Sequence, residues 1–398
     1  MHLIDKVKSL SENIHPEVIQ WRRHLHANPE LSYEEFNTAA FVAAQLKSFG
    51  LAPTPMAGTG LIALIEGKPG KKTVALRADM DALPIEEKNN VPYKSTKPGI
   101  MHACGHDVHT SSLLGTAKIL SQLRNEFEGT VKLIFQPGEE KNPGGASYMI
   151  RDGVLENPAP ASIIGQHVMP LVPVGKVGFR EGMYMASSDE IYLKVIGKGG
   201  HGAAPELTID PVLIASHIII ALQQVISRNA SPKQPTVLTF GRIMGEGATN
   251  IIPNEVNIAG TFRALNEPWR KEGLEKIEQM AKGIATSMGG KCEVTISHGY
   301  PYLENNPALT RRIRKAAEDY VGKENVVDID LTLGSEDFSY YSHVVPASFY
   351  RLGTRNEARG LTSYVHTPTF DIDEDALKIG PGLMAWMAIT ELAELSNC

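Results

Sequence analysis

A nine-residue stretch at 101–109 concentrates side chains that bind metal ions or move protons. Its sequence is Met-His-Ala-Cys-Gly-His-Asp-Val-His, and its reactive residues are His102, Cys104, His106, Asp107 and His109. Cys104 and His106 are two positions apart, so in an extended segment both face the same side and can converge on one ion. A thiolate and an imidazole with carboxylates nearby favour a transition metal, with zinc as the default and manganese, cobalt or nickel as alternatives. Taken alone, the stretch also fits a polar loop with scattered histidines.

Pairs of acidic residues follow two of the predicted strands. The pairs are Asp79 and Asp81 after a strand at 73–77, and Glu139 and Glu140 after a strand at 129–136. Open α/β sheets build their sites at such carboxyl ends of strands. Neighbouring side chains point in different directions, so Glu140 can ligate a metal while Glu139 faces bound water. Each acid alone also fits a turn, a helix cap or a solvated surface.

Two histidines outside the first stretch are further candidate ligands. His167 ends an apolar strand at 161–167, which makes it the third strand end in the series to offer a ligand-type group. His366 lies in Tyr-Val-His-Thr-Pro, before a closing helix at 375–395. A lone histidine of either kind is more often structural, and it is the series of strand ends that favours His167 as a ligand.

Hydrophobic periodicity and turn residues predict the elements that would position these groups. The first part of the chain contains a helix at 16–27 stopped by Asn28-Pro29, a helix at 34–49, and strands at 61–66 and 73–77 around a turn at 67–70. From residue 189 the pattern changes to βαββαβ, with strands at 189–197, 236–242, 255–264 and 291–297 and helices at 209–226 and 269–288. That order is the ferredoxin-like split βαβ unit.

The pattern of the first part resumes near Pro307, with a helix that reaches Tyr320. We therefore predict an α/β protein in which a ferredoxin-like domain, 185–298, is inserted into a discontinuous catalytic domain made of 1–184 and 299–398. A chain of 398 residues exceeds the size at which single hydrophobic cores stop growing, which agrees with two domains.

Composition and charge exclude several classes of function. The net charge of −6 argues against nucleic acid as a partner. Three scattered cysteines do not make a disulfide framework and are typical of a reducing compartment. The N-terminal residues lack an apolar signal core, and no run of about 18 apolar residues is present, so we expect no membrane span. These features predict a cytoplasmic protein.

Seven motifs, taken in chain order, resemble those of the M20 metallopeptidase family and more closely its amidohydrolase branch. They are Ala-Asp-Met-Asp-Ala-Leu-Pro (78–84), His-Ala-Cys-Gly-His-Asp-Val-His (102–109), Gln-Pro-Gly-Glu-Glu (136–140), Gly-Gly-His-Gly-Ala-Ala-Pro (199–205), Asn-Ile-Ile-Pro (250–253), Gly-Ser-Glu-Asp-Phe (334–338) and His-Thr-Pro (366–368). That branch includes hippurate hydrolases, aminoacylases, N-acetyldiaminopimelate deacetylases and indole-acetyl-amino-acid hydrolases. The resemblance implies a dimetal catalytic α/β domain, an inserted lid domain that dimerises, and hydrolysis of the amide bond in an N-acyl amino acid.

The resemblance also implies roles for individual residues. Cys104 matches a ligand that bridges two divalent metal ions (Zn, Mn, Co or Ni). With Cys104, one ion would be held by Glu140 and His366 and the other by His106 and His167, although the division of terminal ligands between the ions stays open. Two acids complete the implied centre. They are Glu139, which matches a general base, and Asp81, which matches the acid that orients a metal-bound histidine.

Four residues beyond the metal motifs are implied to meet the substrate. His201 would donate to the oxyanion, and in the family it serves the partner subunit of a homodimer formed through the lid. Asn250 would contact the substrate, Arg263 would pair with its α-carboxylate, and the Gly334 backbone would assist. For Arg263 the alternative is an ordinary salt bridge.

Two other classes of function remain as alternatives. Cys104 with His106 or His109 fits a metal-free amidase in which a base activates a thiol nucleophile, but this leaves Glu140, His167 and His366 unexplained. A non-catalytic scaffold that binds a metal or ligand would not need the base, Glu139. The sequence identifies neither the preferred acyl group and amino acid nor the physiological metal.

Overall fold

The structure is a computed structural model that describes residues 2–396. The helices in that range are α1 (Leu3–Ala27), α2 (Phe36–Ser48), α3 (His106–Gln122), α4 (Gly145–Arg151), α5 (Pro211–Gln224), α6 (Glu267–Ser287), α7 (Pro307–Val321), α8 (Ser339–Ser342) and α9 (Ala376–Ser396). The strands are β1 (Thr54–Met56), β2 (Gly60–Glu66), β3 (Lys68–Asp79), β4 (Glu128–Gln136), β5 (Ser162–Pro173), β6 (Val177–Phe179), β7 (Gly182–Met185), β8 (Asp189–Ile196), β9 (Gly200–His201), β10 (Val237–Met244), β11 (Ile251–Ile252), β12 (Glu255–Arg263), β13 (Lys291–His298), β14 (Leu303–Asn305), β15 (Val326–Asp328) and β16 (Ala347–Arg355).

The chain divides into two compact units. The first unit comprises the residues up to 182, together with 304–330 and those from 337 onwards, and the second comprises 183–303 and 331–336. The predicted boundaries lay at 184/185 and 298/299, and the short segment 331–336 was not predicted to leave the first unit. That segment joins the second unit through backbone hydrogen bonds. The Thr332 N–H donates to the carbonyl of Tyr184, and the Ala186 N–H donates to the carbonyl of Gly334.

An eight-stranded sheet forms the centre of the first unit. Its strand order is β1-β2-β4-β3-β5-β16-β6-β15, and the four central strands, β4, β3, β5 and β16, run parallel. The predicted turn at 67–70 is wrong for its last three residues, because β3 already begins at Lys68. Strands β2 and β3 do not pair with each other, because β4 lies between them. The parallel centre brings the carboxyl ends of β3 and β4 together at one edge, where the predicted acids follow them.

Helix α1 begins at Leu3, so the predicted start at Pro16 is wrong. A buried stripe at Val7, Ile14 and Val18 continues through the proline with helical spacing. A proline inside a helix removes one backbone hydrogen bond, and burial of this stripe offsets that loss. The core of the first unit joins this stripe to residues of β2, β3, β4, α3 and α9.

The second unit has the predicted βαββαβ order, in the elements β8, α5, β10, β12, α6 and β13. Its antiparallel sheet has the order β10-β12-β8-β13, which places β8 and β12 in the middle and β10 and β13 at the edges. Burial alternates along β8, where Ile191 and Leu193 lie in the core and Tyr192 is exposed. One face of the sheet is therefore packed against α5 and α6.

Helix α5 and the turn that follows it, Pro211–Asn229, are long and apolar enough to cross a membrane by length and composition alone. Its side chains Ile214, Ile218 and Leu222 lie in the core of the second unit. One face of the helix therefore packs into this core, although only 33% of the apolar span is buried.

Candidate metal centre

Cys104 lies at the centre of a cluster of metal-binding side chains in the first unit. Its Sγ atom is 3.4 Å from Nε2 of His167 and 3.3 Å from Nε2 of His366. Two groups share this thiol, Cys104 with His106 and His167, and Cys104 with Glu140 and His366; within each group the ligand atoms lie within 4.8 Å of one another. The structure thus brings together all five residues predicted to bind metal.

A positive φ at two residues shapes the backbone around Cys104. Gly105 precedes α3 at φ 84°, and a Cβ there would lie 2.6 Å from a methyl group of Val168. His366 has φ 62°, and its N–H donates to the carbonyl of Ala103 at 2.7 Å. A histidine in the left-handed region costs free energy, and such costs are typical of functional sites.

Hydrogen bonds orient the His106 ring from the side away from the cluster. Its Nδ1 lies 2.9 Å from the Asp81 carbonyl and 3.2 Å from Asp81 Oδ1, so Nδ1 carries the proton. Nε2 is then free to face the cluster, where it is buried without a hydrogen-bond partner among residues 2–396. Asp81 also accepts from the Glu140 N–H at 2.9 Å, so this one carboxylate fixes two candidate ligands.

His167 lies within β5, which continues to Pro173, and not at the strand end that the sequence predicted. Its Nδ1 donates to the Val168 carbonyl at 2.7 Å, which leaves Nε2 for Cys104. The Val168 N–H donates to Nε2 of His109 at 2.9 Å, and Nδ1 of His109 donates to Asp79 at 2.6 Å. Both ring nitrogens of His109 are therefore occupied, and this residue supports β5 rather than offering a ligand.

Glu139 and Glu140 follow β4 as predicted, and they differ in environment. Glu139 is buried, with Oε2 4.0 Å from Nε2 of His106. Oε1 of Glu140 is 3.2 Å from Nε2 of His366. Glu140 therefore belongs to the cluster around Cys104, and Glu139 borders it.

The charges around the cluster shift the pKa values of its members. Hydrogen bonds to Cys104 and Glu140 raise the pKa of His366 to about 10. Burial opposes a charge on His106, yet the carboxylates of Asp79 and Asp81 raise the pKa of its ring well above the ordinary value. Burial raises the pKa of the Cys104 thiol and lowers that of His167. Without a cation, the cluster therefore contains protons that a metal ion would displace.

The donor set and its spacing fit divalent metal ions. A tetrahedral zinc with Zn–S of about 2.3 Å and Zn–N of about 2.0 Å separates sulfur from nitrogen by roughly 3.5 Å. The two sulfur–nitrogen distances at Cys104, 3.4 and 3.3 Å, agree with that spacing. The buried, unpartnered Nε2 of His106 is a further donor that a cation would satisfy.

The second unit contains the other predicted site residues, in two separate places. His201 and Asn250 lie together on a small ribbon, in which β9 pairs with β11 and the Gly202 N–H donates to the Asn250 carbonyl. Both side chains are exposed. The Ala203 N–H donates to Nδ1 of His201 at 3.0 Å, so the neutral ring carries its proton on Nε2 and can donate there.

Arg263 lies at the opposite end of β12, beside the segment that contains Gly334. Its Nε donates to Thr261 at 3.1 Å and its Nη1 donates to Ser335 at 3.1 Å. Both partners are hydroxyl groups, and within residues 2–396 Arg263 forms no salt bridge, which disfavours the salt-bridge interpretation. The Gly334 N–H donates to the Thr332 hydroxyl at 3.2 Å.

Sequence reasoning missed a network of buried ion pairs that connects the segment of His106 to the segment that follows His366. Arg22 of α1 donates to Asp107 at 2.8 Å and to Asp371 at 2.7 Å, and His26 contacts the same oxygen of Asp107 at 2.8 Å. Asp107 follows His106, and Asp371 follows the loop of His366. The partners of Arg22 are 85 and 349 positions away, so no local pattern could have indicated them.

The chain is similar to known proteins along most of its length. The profile of Peptidase family M20/M25/M40 matches residues 75–389. The IAA-amino acid hydrolase ILR1-like 4 of Arabidopsis thaliana is 41% identical, over 94% of this chain and 85% of its own. The N-acetyl-L-cysteine deacetylase of Bacillus subtilis strain 168 is 41% identical, over 91% of this chain and 85% of its own. The crystal structure of the Bacillus subtilis YXEP protein, described as a dinuclear metal binding peptidase from the M20 family, is 34% identical, with a TM-score of 0.83 over 96% of this chain and 99% of that one.

Proposed function

We propose that this chain cleaves the amide bond of N-acyl amino acids. The chain belongs to peptidase family M20/M25/M40 and is a metal-dependent hydrolase of amide bonds. The observation that carries the proposal is the convergence of four metal-binding side chains on Cys104, with the buried carboxylate of Glu139 beside them. The names of two relatives, an IAA-amino acid hydrolase and an N-acetyl-L-cysteine deacetylase, support this class of substrate.

The proposed cofactors are two divalent ions, of Zn, Mn, Co or Ni, that share the thiolate of Cys104. Glu140 and His366 complete one set of ligands, and His106 and His167 complete the other. When bound, such ions lower the pKa of a shared water towards neutrality and polarise a carbonyl group.

Glu139 is the general base in this proposal. Its carboxylate accepts a proton from the attacking water and returns that proton to the amine that leaves the amide. Asp81 holds the proton on Nδ1 of His106 and so keeps Nε2 of that ring available as a ligand. His201 donates from Nε2 to the carbonyl oxygen as negative charge develops there.

Arg263 recognises the α-carboxylate of the substrate. A half-buried guanidinium that bonds only to hydroxyl groups retains donors for a bidentate pair with a carboxylate. Asn250 contacts the substrate from the ribbon that also carries His201. The backbone of Gly334, next to Ser335, assists Arg263.

The distance between these groups supports a homodimer. The ribbon with His201 and Asn250 adjoins the start of β12, whereas Arg263 is the last of its nine residues. Nine residues at about 3.3 Å each span ~26–30 Å, which is longer than a small N-acyl amino acid. We therefore propose that His201 and Asn250 of one chain complete the site of its partner.

The surface of the second unit supports the same arrangement. Of the exposed large apolar side chains among residues 2–396, ten lie in the second unit and four in the first. They include Leu213 and Ile220 on α5 and Ile243 on the edge strand β10. Exposed apolar side chains and exposed strand edges are both features of association surfaces, and we propose a second copy of the chain as the partner.

The remaining parts of the proposal concern compartment and other partners. Cys104 and Cys292 are both free thiols, which supports a reducing, cytoplasmic location. Small molecules, and neither nucleic acids nor membranes, are the proposed ligands.

Metal removal and replacement tests the proposal. Purified protein is treated with chelator, reloaded with Zn, Mn, Co or Ni, and assayed against N-acetyl, N-benzoyl and N-indoleacetyl amino acids and N-acetyldiaminopimelate. We expect activity to disappear on chelation and to return with metal. Activity that survives chelation would establish the thiol amidase instead, and a protein inactive in every state would be a binding scaffold.

A further inference from the structure

Residues 30–35, Glu-Leu-Ser-Tyr-Glu-Glu, contact both acidic loops that border the metal centre. We call this the clamp segment. The Ala82 N–H donates to the carbonyl of Glu30 at 2.8 Å, and Leu31 forms a β-bridge with Ala82. The Ser32 hydroxyl donates to Oδ2 of Asp81 at 2.6 Å. The first half of the clamp segment therefore holds the loop that carries Asp81.

Tyr33 holds the second loop, which follows β4. Its hydroxyl donates to the carbonyl of Lys141 at 2.7 Å, and its ring lies against Gly138. A Cβ at Gly138 would lie 2.3 Å from that ring, and Gly138 has φ 57°. Tyr33 itself has φ 68°, a conformation that costs free energy in a bulky residue and persists only where its surroundings enforce it.

Glu35 holds the same loop from inside the protein. Its side chain is buried, and Oε1 accepts from the Gly138 N–H at 2.7 Å. Its other oxygen accepts from the Thr59 hydroxyl at 2.5 Å. Both oxygens therefore have a donor, and burial in this position raises the pKa of Glu35 above its ordinary value.

These contacts lie on either side of Glu139. Glu35 and Tyr33 fix Gly138 before it, and Tyr33 fixes Lys141 after it. Glu140 has a separate backbone contact, from its N–H to Asp81. The carbonyls of Gly138 and Lys141 also accept from the N–H groups of Gly145 and Gly144. Loss of the contacts from Tyr33 and Glu35 would thus loosen the backbone around Glu139, while Glu140 keeps its own hydrogen bond.

We propose that Tyr33 and Glu35 are positioning residues that set the orientation of the Glu139 carboxylate through the backbone on either side of it. The proposal rests on the proposed function, in which Glu139 is the base. Misplacement of a catalytic group by about 1 Å can lower the rate about 100-fold. Tyr33 and Glu35 therefore act on the rate of the chemical step more than on metal binding.

The test uses three variants of the metal-loaded, full-length protein. Glu35→Met keeps the length of the side chain and removes both oxygens, so that neither Gly138 nor Thr59 retains its acceptor. Tyr33→Phe removes only the hydroxyl and keeps the ring against Gly138, which makes it the second variant if the buried Met disturbs folding. Glu34→Met is the matched control, because Glu34 is an exposed neighbour of the same type.

Two measurements decide the outcome. The first is kcat and KM for an N-acetyl amino acid, together with bound metal: Glu35→Met should lower kcat about 10- to 100-fold with unchanged KM and metal content. Tyr33→Phe should lower kcat several-fold, and Glu34→Met should resemble the wild type. The second is amide hydrogen exchange of a peptide covering 136–142, which should accelerate in the first two variants while that of 104–109 does not.

A double-mutant cycle separates positioning from general support. If Glu35 acts through Glu139, then Glu35→Met should lower kcat little in a chain that already contains Glu139→Gln. An equal fold-loss in both backgrounds, a loss of metal, or unchanged exchange at 136–142 would overturn the proposal. Wild-type activity in Glu139→Gln would instead overturn the proposed base, and the exchange measurement would still report on the clamp segment.

Discussion

The Sγ atom of Cys104 lies 3.3 Å from Nε2 of His366, a residue 262 positions further along the chain. The same sulfur lies 3.4 Å from Nε2 of His167. One thiol thus contacts a histidine from each of the two candidate ligand sets, which is the geometry of a bridging ligand. This relationship leads directly to the first prediction.

Cys104→Asp should keep part of the metal and activity, whereas Cys104→Ala should lose both. A carboxylate oxygen can bridge two cations as a thiolate does, and a methyl group cannot. Metal analysis and activity of the two purified variants provide the measurement. If both variants are equally inactive and the wild type survives chelation, Cys104 is a nucleophile and not a bridge.

Glu139→Gln should retain near-normal metal but lose about 10²–10⁴ in kcat, which is the usual contribution of a general acid–base group. Glu140→Gln should lose metal, because Glu140 lies 3.2 Å from His366 within the cluster around Cys104. Each variant is therefore the matched control of the other. Equal loss of metal in both variants would contradict the different roles of these neighbours.

Two inactive variants, His201→Ala and Glu139→Gln, should recover activity when their subunits exchange. In a mixed dimer, one site receives both substitutions and the other receives neither, if His201 serves the partner. Random exchange makes half of the dimers mixed, so activity should reach about a quarter of the wild type for a symmetric pairing. Absence of recovery after proven exchange would mean that His201 acts in its own chain or has no catalytic role.

Arg22→Met should destabilise the protein by about 3–5 kcal/mol, the usual effect of removing one partner from a buried ion pair. Arg22 is fully buried between Asp107 and Asp371, and both carboxylates would lose their ion pair with its guanidinium group. Arg23→Met is the control, since Arg23 is 44% exposed and pairs with Glu374. Thermal unfolding of the two variants gives the comparison, and similar losses in both would contradict a special role for the buried pair.

His26 should make stability depend on pH above about 6.5, the ordinary pKa of histidine. Burial and Arg22 oppose its charge, but Asp107 and Glu87 raise its pKa above the ordinary value. The folded protein then binds a proton more tightly than the unfolded chain, whose pKa is about 6.5. The added stability is fully present below pH 6.5 and is lost as pH rises through the raised pKa.

The measurement is the melting temperature at pH 6 and at pH 8.5 in wild type and in His26→Gln. We expect a larger decrease between these pH values in the wild type than in the variant. His24→Gln, which changes an exposed residue of the same helix, should behave as the wild type. A parallel decrease in all three proteins would show that His26 does not contribute.

The residues of the candidate site could be predicted where a pattern in the neighbouring sequence, such as a strand end or a short spacing, indicates them. Acids after a strand are visible in the sequence, and a parallel sheet must bring the ends of β3 and β4 to one edge. The βαββαβ order of the second unit is likewise a matter of local periodicity. For these reasons both pairs of acids and four of the candidate ligands, Cys104, His106, Glu140 and His167, could be named from local patterns. His366 was named only through the resemblance to the M20 family.

Features that depend on distant polar partners could not be predicted. Nothing near Glu35 indicates that its partners are Thr59 and Gly138, because a buried carboxylate leaves no periodic pattern. The first half of α1 was missed because Pro16 is a strong stop signal that packing overrides. The transfer of 331–336 to the second unit depends on backbone bonds between segments far apart in the chain.

In the sequence, the candidate ligands lie both before and after the second unit, and this fixes the order in which they are synthesised. A ribosome that has just completed His167 must still synthesise about 200 residues before His366, which takes on the order of 10–40 s at roughly 5–20 residues per second. All of residues 183–303 emerge within that interval, and the last metal ligand arrives after them. The nascent chain therefore cannot close its metal site until the inserted unit has had the opportunity to fold.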